Sequence, residues 1–284
     1  MKFKNQKYLL RFGSLKGKTA VITGASGAIG KHIVTNFLLM GAEVILPALP
    51  GEGEALKEEL SSKFDGSRIS VYPIDLCDTA SIDKFAEEIK DKNINFLINN
   101  AGVIGKRAYQ VNFWGTVYLT IKLTPLLNKN QGSKVAFQSS FSYRFSKIDW
   151  TDAESAKVEK KLKAYANSKK LLSLAIVTLK KDFLPAYPNV EYAIAHPGCV
   201  ASDINGKVSD FSKKMSKLFL HSAETGSLSV TTAALKPVPE NRLVGPRCVG
   251  IWGKPRFRKL SKSIFDEKEL EQIKQLISPL FERV

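Results

Sequence analysis

Tyr165 and Lys169 stand four positions apart in the stretch KAYANSKK. On a helix that spacing puts a phenol and an ammonium on one face. Many such pairs share nothing but solvent. The chemistry open to this one is proton transfer. A free phenol titrates near ~10, and a nearby cation favours the phenolate and brings it toward neutrality. Carbonyl reduction needs a hydride from one side and a proton at the oxygen. Tyr165 can exchange that proton and Lys169 can tune it. A hydroxyl would hold the oxygen, and Ser139 and Ser140 end the apolar run SKVAFQSS.

A second group suits a phosphate. VITGASGAIGKHIV places Gly24, Gly27 and Gly30 at intervals of three after an apolar run. Glycines there let the backbone turn tightly and approach a pyrophosphate. The following helix start, with Ala28 and Ile29, offers unpaired N–H groups and a positive dipole end. Thr23 and Ser26 add hydroxyl donors.

These groups need a scaffold. Short apolar runs at 18–23, 42–46, 68–76, 93–102, 133–140 and 190–198 alternate with amphipathic stretches such as 28–41, 54–64 and 79–91. That alternation predicts βαβ units and a doubly wound parallel sheet of the Rossmann type. No repeat or Pro/Gly-rich linker interrupts it. The reading is one α/β domain over 17–284, with a short C-terminal helical extension, behind a basic arm at 1–16. Ligands of such sheets sit at the carboxyl ends of the strands. Those ends read TGASGAIG, IDL, NNAG, QSSFS and HPGCVASDI.

The 284 residues carry 43 Lys+Arg against 27 Asp+Glu, a formal charge of +16. That balance favours anionic partners. The basic residues are dispersed, with no zinc-finger or RNP pattern, so no nucleic acid is read. Three well-separated cysteines suit a reducing, cytoplasmic setting rather than a disulfide framework. Three histidines without ligand spacing give no metal site. The longest uncharged stretch, Ala108–Ile121, is 14 residues, short of a bilayer span. Membrane contact would be peripheral at most.

The ordered motifs TGASGAIG, NNAG, YANSK and HPG resemble the short-chain dehydrogenase/reductase family. The tail GPRCVGIWGKPRFRKLSK is similar to that of its retinol-dehydrogenase-like branch. The resemblance implies hydride transfer between NADP or NAD and a carbonyl or alcohol, with a lipophilic substrate as one option. It selects Ser140 over Ser139 and adds Asn112, which gives the catalytic set Asn112, Ser140, Tyr165 and Lys169. It places Asn99, Ala101 and Gly102 beside the adenosine, and Asp75 and Leu76 at the adenine. Lys169 also binds ribose hydroxyls. Pro197, Gly198, Val200 and Ser202 meet the nicotinamide. His196 reads as a packed strand end.

Three departures stand out. The glycine spacing TGxxGxxG resembles the family's extended branch. A sugar-nucleotide epimerase or dehydratase is therefore one alternative, and a catalytically silent nucleotide-binding scaffold is another. The second strand continues VILPALPGEGE, with Leu49 where an arginine is usual and no acidic group expected at that end, which leans toward NADP. The segment from Gly102 to Asn112 is only ten positions. Its brevity could open the pocket, displace Asn112 or mark an unusual substrate, and it leaves the oligomeric state open.

Overall fold

The computed structural model describes residues 5–200, 222–248 and 250–283. Among these, eight strands form one sheet: β1 (Thr19–Ile22), β2 (Glu43–Ala48), β3 (Ile69–Pro73), β4 (Phe96–Asn99), β5 (Ser133–Gln138), β6 (Val190–Ala195), β7 (Arg242–Cys248) and β8 (Trp252–Lys259). Their order is β3-β2-β1-β4-β5-β6-β7-β8. Every neighbouring pair is parallel except β7 and β8. The chain leaves β1 toward β2 on one side, and β4 pairs with β1 on the other. This reversal is the topological switch point, so the loops after β1 and β4 face a common crevice.

The strands read as apolar runs because helices cover both faces. Along β1, Val21 joins one core while Ala20 and Ile22 join the other, as alternate side chains of a strand must. Helices α1 (Gln6–Leu9), α2 (Ala28–Leu39), α3 (Glu52–Ser61), α4 (Thr79–Glu88), α5 (Gly115–Leu127), α6 (Lys161–Asp182), α7 (Ala223–Leu235) and α8 (Glu267–Phe281) complete the layers. The basic arm packs rather than trails: Leu9 is buried and Tyr8 Oη bonds Thr232 Oγ1 at 3.0 Å.

The short segment after Gly102 is absorbed by a π-helical turn, Gln110–Trp114, which runs directly into α5. The added residue in that turn brings Asn112 inward, where it is fully buried. The tail GPRCVGIWGKPRFRKLSK supplies the second half of β7 and all of β8. Its prolines and cations mask a strand from pattern reading, and Pro255 with the β8 cations is tolerated because β8 is an edge.

Candidate active site

The loop after β1 is shaped by crowding. Gly24 has φ +62°, and a Cβ there would lie 2.6 Å from Ala101 Cα. A Cβ on Gly30 would lie 2.0 Å from the Gly24 carbonyl oxygen. Gly27 is different: its Cβ would meet only Gly24 O, at 3.4 Å. Gly27 is the N-cap of α2 and no side chain caps that helix. The N–H groups of the first turn are therefore free for an anion. The sequence assigned Thr23 a donor role, and in the structure its hydroxyl is engaged within the protein. Thr23 Oγ1 donates to Ile98 O and accepts the N–H groups of Asn100 and Ala101. Its hydroxyl ties the β1 and β4 loops together.

A cleft of about 580 Å³ opens above this junction. It is lined by the whole Thr23–Gly30 loop, by Asp75 and Leu76 after β3, and by Ala101 and Gly102 after β4. Asn99 is elsewhere. It is 2% exposed, and its Nδ2 donates to Thr120 Oγ1 on α5. The neighbouring Asn100 lines the cleft instead and donates to Thr23 O and Gly24 O. Side chains alternate along an extended chain, so one position decides which asparagine faces the crevice. Asp75 Oδ1 accepts the Cys77 N–H at 2.8 Å, a turn-forming bond that leaves its other oxygen unassigned.

Three cleft residues escaped the sequence reading. Arg107 faces the Asp75 side. Gln138 donates from Nε2 to Asn100 Oδ1, and its buried Oε1 has no hydrogen-bond partner among the described residues. Glu52 lines the mouth below β2 and accepts from Ser26 Oγ at 2.9 Å. An acidic side chain therefore stands where none was expected. Its signal was a glutamate opening a helix just past the strand, set aside in favour of Leu49. The glycine cradle, the bare helix start and the orphaned Gln138 Oε1 all fit an elongated phosphorylated ligand.

The proton-transfer residues meet beside this cleft. α6 carries Tyr165 and Lys169 on one face, with Lys169 Nζ 5.9 Å from the Tyr165 ring centre. The Ser140 hydroxyl acts on the Tyr165 phenol and accepts from Ser142 N and Ser142 Oγ at 3.3 and 2.9 Å. Ser139 points away and pairs with Ser173 Oγ at 3.0 Å. Lys169 Nζ donates to the Gln138 main-chain oxygen at 2.8 Å. Asn112 accepts the Val103 N–H on Oδ1 and donates from Nδ2 to Val103 O and Ser168 Oγ. Gly102 lies between the two elements: a Cβ there would be 3.3 Å from Lys169 Nζ and 3.4 Å from Asn112 Oδ1.

Burial shapes both titrations. It lowers the Lys169 ammonium to about 8. It raises the Tyr165 phenol, and the Ser140 hydroxyl only partly opposes that. The Lys169 charge alone does not bring the phenol down, so Tyr165 stands as a protonated donor at neutral pH.

Pro197, Gly198 and Val200 follow β6 at the same end of the sheet but do not line the cleft. Ser202 lies outside the described residues. His196 is 2% exposed, donates its N–H to Val244 O and accepts from Gly198 N on Nδ1.

The chain matches the family model for short chain dehydrogenases over residues 18–213. It belongs to that family. Human retinol dehydrogenase 12 is 34% identical over 203 residues, covering 67% of this chain and 64% of that protein. Bovine dehydrogenase/reductase SDR family member 13 is 32% identical over 206 residues, covering 67% of this chain and 54% of that one. The chain thus matches less than two thirds of the length of these relatives, which set it on the retinol-dehydrogenase-like branch. Among solved structures, an uncharacterised protein from Mycobacterium paratuberculosis shares the fold at TM-score 0.77 and 23% identity, over 96% of this chain and 97% of that one. Salutaridine reductase from Papaver somniferum follows at TM-score 0.63 and 18% identity, over 78% and 96%. The chain thus belongs to a family of dehydrogenases and reductases. No helix among its described residues is long and apolar enough to cross a membrane.

Proposed function

We propose that the protein moves a hydride between a nicotinamide dinucleotide and a carbonyl or alcohol, with Tyr165 as the acid/base. The observation that carries this reading is the convergence of Tyr165, Ser140 and the buried Lys169 beside the phosphate cleft. The Thr23–Gly30 loop and the start of α2 would hold the pyrophosphate, and Asp75 and Arg107 would flank the adenine end. A bound nicotinamide supplies or takes the hydride.

Ser140 holds the substrate oxygen and Tyr165 exchanges its proton there. Lys169 sits one turn further along α6, within reach of both the phenol and a ribose hydroxyl. Asn112 fixes the Val103 backbone and Ser168, and so steadies the wall beside Lys169. Retention of all four side chains in one place speaks against a silent scaffold.

NAD is the cofactor we assign over NADP. The basic surface attracts a 2′-phosphate, but over distances that salt screens beyond about 8 Å. The Glu52 carboxylate is local: it repels a 2′-phosphate and accepts from a 2′-hydroxyl. The nearer charge dominates.

The test is titration with NADH and NADPH followed by turnover on a panel of aldehydes and ketones. Tyr165→Phe should keep cofactor affinity and lose turnover by about 10²- to 10⁴-fold. Turnover that survives in Tyr165→Phe removes the assignment.

A further inference from the structure

A second concavity, of about 390 Å³, is lined by Arg144, Arg242, Arg247, Arg256, Arg258 and Lys259, with Phe257 its one uncharged residue. It shares no lining residue with the dinucleotide cleft. Six cations in one hollow repel one another, and the strand register adds to this by setting Arg242 directly opposite Lys259. No carboxylate lines the hollow to relieve that repulsion. The ion pairs formed among the described residues are all made by other lysines, so none of these guanidinium groups pairs with a carboxylate among the described residues.

The hollow is built rather than incidental. Arg258 Nη1 donates to the carbonyl oxygens of Pro246 and Arg247, at 3.4 and 3.2 Å. Arg144 lies over the Phe141 ring, 5.6 Å from its centre. A guanidinium has five N–H donors, so each anchor leaves several for a ligand. Arg256 pairs with Gly245 across the hairpin. Arg144 is four residues beyond Ser140 on the turn Phe141–Phe145, and Phe141 also contacts His196 at 6.0 Å.

We propose that this concavity binds a phosphoryl or pyrophosphoryl group, separately from the dinucleotide. Arginine forks match phosphate oxygens bidentately. A multiply charged oxyanion offsets a cluster of this size better than a single carboxylate does. The group can belong to a soluble phosphorylated ligand or to an anionic lipid headgroup.

Calorimetric titration with inorganic pyrophosphate tests the proposal. Pyrophosphate also suits the α2 N-terminus, so Gly27→Asp is used to block that site. In Gly27→Asp one saturable site should remain, and adding Arg144→Gln and Arg256→Gln should weaken it at least tenfold. Arg247→Gln with Lys259→Gln gives an independent pair if the first variant melts early. Flotation with phosphatidylglycerol vesicles separates the sources. Arginine-dependent retention on vesicles, competed by pyrophosphate, identifies a headgroup. Pyrophosphate binding without retention identifies a soluble ligand. Pyrophosphate affinity and vesicle retention both unchanged by the arginine and lysine substitutions would overturn the site.

Discussion

Lys169 Nζ is held 2.8 Å from the Gln138 main-chain oxygen, at a point where burial lowers its ammonium to about 8. This is below the ordinary 10.5, so between those values the unfolded chain binds more protons than the folded one. Stability contributed by this residue therefore rises with pH across that window, and below it the burial penalty is fully present. The cost is about 3 kcal/mol at pH 7, partly offset by the hydrogen bond. Lys169→Met should raise stability by about 1–3 kcal/mol at pH 7, with a gap to wild type that closes toward pH 10. Denaturant unfolding at both pH values measures it. A destabilised variant at pH 7 would mean that the ammonium is better solvated than its burial implies. Lys169→Ala should also weaken cofactor binding, read from nicotinamide fluorescence, because the role assigned here includes the ribose.

The glycines of the first loop should separate fold from binding. Gly30→Ala puts a methyl 2.0 Å from backbone and should destabilise by about 1–3 kcal/mol or more. Gly27→Ala meets nothing closer than 3.4 Å and should cost under about 1 kcal/mol. It should nonetheless weaken the cofactor at least about tenfold, because the methyl enters the phosphate's space. Equal melting temperatures for the two variants would contradict the geometry.

Glu52 should govern the choice of cofactor. Glu52→Arg replaces repulsion with a bidentate phosphate ligand, and the NADPH-to-NADH affinity ratio should rise about tenfold or more. A ratio unmoved by the change would send the 2′-position elsewhere in the cleft.

The catalytic helix is clamped from behind. Lys170 Nζ donates to Glu269 Oε1 of α8 at 2.7 Å, with side-chain exposures of 4% and 20%. Glu269→Ala leaves a buried ammonium unpaired and should cost about 3 kcal/mol. Activity per folded molecule should stay close to wild type. Thermal melting against specific activity distinguishes this from a role in the chemistry.

The sequence carried the βαβ frame because parallel strands covered on both faces must be apolar runs. Tyr165 and Lys169 were legible because helix spacing fixes where their side chains go, while the strand end offered both Ser139 and Ser140 and only the family resemblance chose between them. Asn99 was not: choosing between it and Asn100 needs the phase of an extended chain at its last residue. Thr23 looked like a free donor, but the β4 loop engages its hydroxyl. Glu52 and Arg107 come from segments far apart in sequence, and only the switch point brings them to one rim. The hairpin of β7 and β8 was hidden by Pro246, Pro255 and a run of cations, which lower strand propensity in any local reading.

That same hairpin decides how the molecule can meet its own kind. An outermost strand with free peptide groups invites another chain to join the sheet. Along β8, Lys254, Arg256 and Lys259 are exposed and Pro255 brings no N–H at all. A second copy approaching this rim meets identical positive charge and a broken ladder. Strand addition is opposed at this rim by charge and by the missing N–H, which leaves β3 as the sheet's other edge.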